Sequence, residues 1–481
     1  LLLAGSAASW WGYRQLDRMP GELLRYAERR LYGHNSLEAV GLPLIALLRT
    51  QIERPVPPRL PSLGKGVQPR ALPPVRYADD HPLPLSDLAD ATLPPPPTAQ
   101  VASLEELQRA MQVAVPGTVI ELLPGRYELK RDFKIPARAG AAGQPIVVRA
   151  AEPGSVEILS SALEGFIVTQ PYWVFENLTM QGVCRHDSSC EHAFHIAGQA
   201  RGTVIRNNRL LDFNAHLKIN GSDGAYPDDG LVQFNTLDNT RPRATPNPVT
   251  PIDLVTASRW VVADNLVANF IKNQGDGVSY GLFMKGGGRA GRIERNLVIC
   301  ARDDISARSD RPGAGVRVGI SLGGGGTGAG YCRGGPCTAE HHEGVVTNNV
   351  VAHCNDAGID INGASQSIVA HNTLINTGWI DARNPNASAA IYGNWMEGRI
   401  RTRNGAWVEA STNVTRSLAD FVPGRDALAL NWTQQPEPIA TSQASPQDFC
   451  GRRRDSSSPP GAIGLPGLPC DNAATTTRPH P

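Results

Sequence analysis

Phe194-His-Ile-Ala-Gly198, Leu217-Lys-Ile-Asn-Gly221, Ile252-Asp-Leu-Val-Thr256, Leu282-Phe-Met-Lys-Gly286, Ile320-Ser-Leu-Gly-Gly324 and Ile359-Asp-Ile-Asn-Gly363 are six versions of one pattern, with large apolar residues at the first and third positions. Residues two apart share one face of a β-strand, so each segment is expected to bury that face and turn its second and fourth residues to water. Five segments end in Gly and one in Thr256, where a tight corner is expected.

Nearly every segment is followed by a second strand built around Asn: Val204-Ile-Arg-Asn-Asn208, Leu231-Val-Gln-Phe-Asn235, Val261-Val-Ala-Asp-Asn265, Arg292-Ile-Glu-Arg-Asn296, Val345-Val-Thr-Asn-Asn349 and Ile368-Val-Ala-His-Asn372, with Asn177 before them and Asn394 after. The intervals from Asn208 to Asn372 are 27, 30, 31, 53 and 23 residues. A strand-turn-strand unit recurring every ~20–30 residues marks a solenoid. Asn at a fixed corner suits it, because Asn tolerates the left-handed conformation and its amide can bond to the Asn of the next coil. The pattern predicts an all-β chain, a single-stranded right-handed parallel β-helix. A propeller or sandwich would need hairpin turns, and Asn-Gly follows only two of these strands, at Asn220-Gly221 and Asn362-Gly363.

The 481 residues fit one solenoid, which grows by adding coils. With 46 Lys+Arg against 45 Asp+Glu, the chain is not expected to bind nucleic acid or to steer an acidic polymer over long range. A monomer is expected. The eight cysteines form natural pairs, Cys184 with Cys190, Cys332 with Cys337, Cys300 with Cys354 and Cys450 with Cys470. Cys300 and Cys354 fall at nearly the same place after Asn296 and Asn349, so coils ~4.8 Å apart would bring them together. An even, pairable set favours an oxidising compartment; buried thiols or a zinc site are the alternatives.

Residues Leu1 to Tyr13 are apolar and read as the end of a signal sequence or of a membrane anchor, so export is expected, with membrane contact through the N-terminus. Helical periodicity follows up to residue 54, then a Pro-rich linker, 55–98, expected to act as a semi-rigid spacer. The β-helix is expected over 99–420, and a largely irregular extension over 421–481. Ser103-Leu-Glu-Glu106 is a capping box that opens a helix to about Val113, placed to cover the first coil. Between about Gly323 and His342 an insertion accounts for the interval of 53. It carries a Gly-rich run, the Cys332/Cys337 loop, Glu340, His341 and His342.

The helix, then Pro116-Gly-Thr-Val-Ile-Glu-Leu122, Pro124-Gly-Arg-Tyr127 and Gly143-Gln-Pro-Ile-Val-Val-Arg-Ala150, resembles the first coils of the chondroitinase B and alginate lyase group of polysaccharide lyases. The resemblance covers about Ser103 to Glu164 well and the later coils generically. In that group a Lys removes the proton beside a uronate carboxylate, an Arg on the following coil assists, and calcium held by acidic residues neutralises the carboxylate. The resemblance puts the base at Lys285 and makes calcium a candidate cofactor, with Asp276 the one acidic residue near it. Where the group's Arg-His-Gly would stand, this chain has Gly323-Gly324-Gly325.

Stacking the six segments brings His195, Lys218, Asp253, Phe283, Ser321 and Asp360 into one file, and Ala197, Asn220, Val255, Lys285, Gly323 and Asn362 into the next. Lys218 would lower the pKa of Lys285, and Asp253 would oppose it. His195, Asn220, Asp360 and Asn362, with Arg333, His341 and His342 from the insertion, are the candidate contacts to a polysaccharide, an anionic one by the resemblance. Arg308, Arg317 or Arg333 would have to supply the missing positive charge. A hydrolase is the second enzyme reading, with Asp228/Asp229 and Asp253 as carboxylates. A non-catalytic glycan-binding or envelope solenoid is the third.

Overall fold

The structure, a computed structural model, describes residues 35–52, 63–85, 93–301, 315–324, 326–375, 377–396, 398–415, 437–464 and 470, with 24, 27 and 31. From residue 99 onward successive strands fall in turn into three long sheets of 12, 11 and 10 strands. Every neighbouring pair within these sheets is parallel, as in Val204–Arg206 beside Leu231–Gln233 and Ala215–Asn220 beside Ile252–Val255. The chain is a parallel β-helix. All six patterned segments lie in the ten-stranded sheet and the Asn-bearing strands in the twelve-stranded one. Each turn carries a third strand that the sequence pattern does not reveal. Pieces such as Arg209–Leu211 and Leu266–Ala268 span three residues, too few for an alternation to show.

The corner after the Asn strand is held by side chains. Nδ2 of Asn208 donates to Oδ1 of Asn235, and the link repeats through Asn265, Asn296, Asn349, Asn372 and Asn394 to Asn413, at 2.9 to 3.2 Å. Each accepting Oδ1 also takes the backbone N–H of the preceding rung's Asn. The insertion leaves the ladder intact, since Asn296 bonds directly to Asn349, 53 residues on. The left-handed residue is the one before the rung, among them Asn207, Phe234, Asp264, Arg295, Asn348 and His371, and not the rung Asn as expected. Asn177 belongs to this preceding position: it accepts from Asn207, and Leu178 stands where a rung would be.

The core is a file of apolar side chains inside the coils, including Phe133, Phe166 and Phe194 with ring centroids 5.1 and 5.4 Å apart. Helix Leu104–Val113 lies across its open end and buries Leu104, Leu107 and Met111. Ser103 Oγ accepts from the Glu106 N–H, and the Glu106 carboxylate accepts from the Ala102 N–H, so the capping motif holds the helix start from both sides. All four expected disulfides are present, with Cα–Cα distances of 5.7 Å for Cys184–Cys190, 4.9 Å for Cys300–Cys354, 5.3 Å for Cys332–Cys337 and 5.2 Å for Cys450–Cys470. Four disulfides are consistent with export.

The Pro-rich stretch does not behave as a spacer over residues 63–85, the longer of its two described parts. Lys65 is buried with its ammonium 2.7 Å from Asp264; the Gln68 N–H donates to Asn207 Oδ1, Tyr77 Oη to the Gly202 carbonyl and the Leu85 N–H to Gln233 Oε1. Val75 and Tyr77 cover the outward apolar row Val174, Val204, Leu231 and Val261. That row attracts the strap, which prolines alone do not foretell. In the extension, Phe449, Ala462 and Ile463 are buried against Leu266, Leu297 and Val350. Among the described residues no helix is long and apolar enough to cross a membrane; helix Asn35–Ile52 leaves Leu37, Val40, Leu44 and Leu47 exposed. The reading of Leu1–Tyr13 lies outside the described residues.

Removing the Asn265 side chain takes the shared acceptor from two buried donors, the Asn235 N–H and Nδ2, and takes the Nδ2 donor from Asn296 Oδ1. At about 1–3 kcal/mol for each unsatisfied group, Asn265→Ala is expected to lower stability by about 3 kcal/mol or more, and Asn413→Ala, at the half-exposed end, by clearly less. Urea denaturation of the two variants checks this; equal losses would remove the ladder as the source of the stability.

Candidate functional site

The register in the ten-stranded sheet places the expected files side by side: His195 opposite Lys218, Lys218 opposite Asp253, then Phe283, Ser321 and Asp360; and in the next file Ala197 opposite Asn220, Asn220 opposite Val255, Val255 opposite Lys285. The expectation that these residues face water fails for eight of the twelve, Ala197, Val255 and Gly323 among them. Asp253, Phe283, Ser321, Asp360 and Asn362 are buried. Their polar atoms are covered by neighbours: Lys218 Nζ lies 2.9 Å from Asp253 Oδ2, Ser321 Oγ donates to the Gly323 carbonyl, Arg383 grips Asp360, and Asn384 donates to Asn362. His195, Lys218, Asn220 and Lys285 remain half-buried and reachable.

Lys285 ends strand Val278–Lys285. Among the described residues, the other buried or half-buried lysines, Lys65, Lys218 and Lys272, each hold a carboxylate at 2.7 to 2.9 Å. Lys285 holds none. Its ammonium lies 4.4 Å from the centroid of the Phe283 ring. Burial pulls its pKa below the usual lysine range and Lys218 adds to the shift, while Asp253 and Glu340 oppose it. The adjacent coil makes room for the side chain: the chain turns left-handed at Gly323, and a Cβ on Gly324 would lie 2.5 Å from Lys285 Cδ. Glu340, from the insertion, fixes that corner by accepting from the Gly326 and Thr327 N–H groups, from Thr327 Oγ1 and from the Gly286 N–H. One carboxylate thus ties the glycine loop to the residue after Lys285.

Three coils away His195 stands between Glu164, 3.0 Å from Nδ1, and Asn220, 2.8 Å from Nε2. The His195 bond is the main reason the Glu164 carboxyl sits below its usual range. Beside Lys218, Asp253 Oδ1 is buried without a hydrogen-bond partner.

The insertion residues do not reach the groove as expected. Arg333 is clamped by Asp228 at 2.7 and 2.9 Å, donates to the Thr256 carbonyl and lies over the Tyr226 ring. His341 is fully buried and accepts from the Gly291 N–H; His342 Nδ1 is taken by Ser365. Arg317 is buried near the start of its strand, and Arg308 lies outside the described residues. Asp228 and Asp229 are both engaged by arginines, which removes them as free carboxylates for a hydrolase. Asp276 pairs with Lys272 at 2.7 Å, before the opposite end of the strand that carries Lys285.

Calcium takes about six to eight oxygen ligands. Around Lys285 the carboxylates are Asp253, held by Lys218, and Glu340, engaged by four donors. Among the described residues no group of three His, Cys, Asp or Glu is arranged to hold a metal. The residues present do not fit the calcium site that the resemblance implies.

The reading of six segments stopped short of two more. Ile380–Arg383 and Ile400–Arg403 continue the same sheet, placing Asp381 and Arg401 after Asp360, and Arg383 and Arg403 after Asn362. Their first and third residues are Ile380 and Ala382, then Ile400 and the polar Thr402. The smaller third residues hide the pattern, although the intervals of 21 and 20 residues would have shown it.

No family profile matches the sequence, and no curated protein does. Solved structures similar to it include a pectate lyase (17% identity, 73% of this chain and 82% of that one, TM-score 0.46), a rhamnogalacturonan lyase (14%, 73% and 90%, 0.42) and an alginate lyase from Paenibacillus sp. (13%, 66% and 100%, 0.37).

Burial drives His341 and His371 to about 3 and His216 and His353 to about 4, from 6.5. A folded pKa below the unfolded one gives stability that is complete above about pH 6.5 and drains as the pH falls toward the folded values, at about 1.4 kcal/mol per unit and group. The urea midpoint is therefore expected to be level above pH 7 and to drop steeply from pH 6 to 4. A level midpoint down to pH 4.5 would mean that these imidazoles are protonated in the fold.

Proposed function

We propose that this exported β-helix cleaves an acidic polysaccharide by β-elimination, with Lys285 as the base. The observation that carries the reading is the state of Lys285: among the described residues no carboxylate pairs with it, it lies by an aromatic ring, and a glycine corner opens beside it. A lysine base must be neutral to accept a proton, and desolvation with Lys218 nearby moves it in that direction. The substrate lies along the files, against His195, Asn220 and Lys218 on one side of Lys285. Lys218 is the nearest cation to the uronate carboxylate in register terms, one strand from Asp253 and two from the file position beside Lys285. The likeness to lyases supports the reaction class only through the resemblance of the first coils.

A second reading, a glycan-binding solenoid without turnover, is favoured by one specific finding. Among the described residues no guanidinium stands beside Lys285, because Arg333 belongs to Asp228.

Polygalacturonate, alginate and chondroitin sulfate are screened for the ultraviolet absorbance of an unsaturated product. Wild type is expected to produce it, and Lys285→Ala to lose about 100-fold or more of the rate while melting at the same temperature. Binding without absorbance supports the second reading, and new reducing ends without absorbance a hydrolase.

A further inference from the structure

Beyond Lys285 the same face ends in a cluster that neither the resemblance nor the six segments anticipate. Arg383 donates through Nε and Nη2 to Asp360, Arg403 through Nε and Nη2 to Asp381, and Arg401 through Nε to Asp381. The two carboxylates are buried beneath, while the arginine side chains stay 26, 39 and 24% exposed. Three guanidiniums thus meet over two buried carboxylates. Arg401 is the most informative member: its guanidinium lies 4.8 Å from the Trp379 ring centroid, and its two terminal amino groups bond to no described residue. A guanidinium set over an aromatic ring, anchored by one bond and partly exposed, is preorganised for a bidentate oxyanion.

We infer that Arg383, Arg401 and Arg403 form a subsite for a carboxylate or sulfate group of an extended acidic glycan whose cleaved unit lies at Lys285. The inference rests on the proposed function for the identity of the polymer. The register supplies its geometry. From Lys285 the file passes Gly323 and Asn362 to reach Arg383 in three strand steps and Arg403 in four, about 14 and 19 Å at ~4.8 Å each. One step is roughly the length of one sugar unit, so a chain anchored at Lys285 presents its fourth and fifth units to the arginines. The intervening Gly323 and Asn362 are uncharged and buried, so charge recognition along this file is concentrated at the two ends of the span.

Binding is measured by calorimetry for oligogalacturonates of two to eight units and for a chondroitin sulfate series, in the Lys285→Ala background so that no turnover interferes. Affinity is expected to step up at about five units, and Arg403→Gln, which leaves Arg401 on Asp381, to lower it about tenfold for long oligomers only. The triple change R401Q/R403Q/D381N, which removes the carboxylate with its partners and so avoids a buried unpaired charge, is expected to abolish the step; Arg403→Lys retains part of it. A step with the galacturonates assigns a carboxylate, and one with the sulfated series alone a sulfate. Affinity that rises smoothly with length, or a step that survives the triple change in a protein melting as wild type, overturns the subsite. A step that depends on the arginines, in a protein whose wild type yields no unsaturated product, keeps the subsite and rejects Lys285 as a base.

Discussion

The structure depends on a column of buried amides. In a β-helix every coil must turn at the same places, and a corner exposes backbone donors and acceptors that the sheets cannot satisfy. Here one side chain per coil does so. Each rung accepts two bonds from one neighbour and donates to the other, and Nδ2 also reaches backbone carbonyls such as Ile205 from Asn235 and Val262 from Asn296. An amide carries both donors and an acceptor in one plane, which no apolar residue or carboxylate supplies. The ladder fixes the register of every strand that follows it, and so determines which side chains meet across the ten-stranded sheet.

Fixed register turns separate residues into a surface. His195, Lys218, Asp253 and Lys285 span some ninety residues of chain, yet lie on successive coils because each turn begins at a rung. The same constraint explains why a long insertion does no harm: the chain leaves after strand Val316–Leu322 and returns at His341–His342, which pairs with Gly288–Arg289 of the preceding coil before Asn349 resumes the ladder. Its local contacts are a disulfide, Cys332–Cys337, and the Glu340 carboxylate on the glycine loop. Glu340 therefore sets the shape of the space beside Lys285 without touching its ammonium.

Charge on the face is sorted by burial. Asp253, Asp360 and Asp381 are the buried members and each is covered by a longer basic side chain from its own or the next file, Lys218, Arg383, and Arg401 with Arg403. A buried carboxylate needs such a partner, while the aliphatic stem of Lys or Arg lies over it and leaves the charged head toward water. The outcome is a face whose anions are inside and whose cations are outside, in a protein with almost no net charge.

The periodicity of apolar residues and the recurrence of Asn were enough to determine the solenoid and the sheet in which the six segments lie, and they set Cys300 beside Cys354, because those features repeat at regular intervals and depend on local alternation. The alignment of Lys218, Asp253 and Lys285 was legible for the same reason. Depth was not. Whether Asp253 and Asp360 face water, whether Arg333 is available or bound to Asp228, whether His341 is a ligand or a core residue, and whether residues 63–85 hang free or lie on the coils all turn on contacts between segments far apart in the chain. Lys65 and Asp264 are 199 residues apart, and Arg333 and Asp228 are 105. No pattern within a coil encodes such a contact; only the packing of the folded chain decides which charges are paired, and leaves Lys285 with no carboxylate among the described residues.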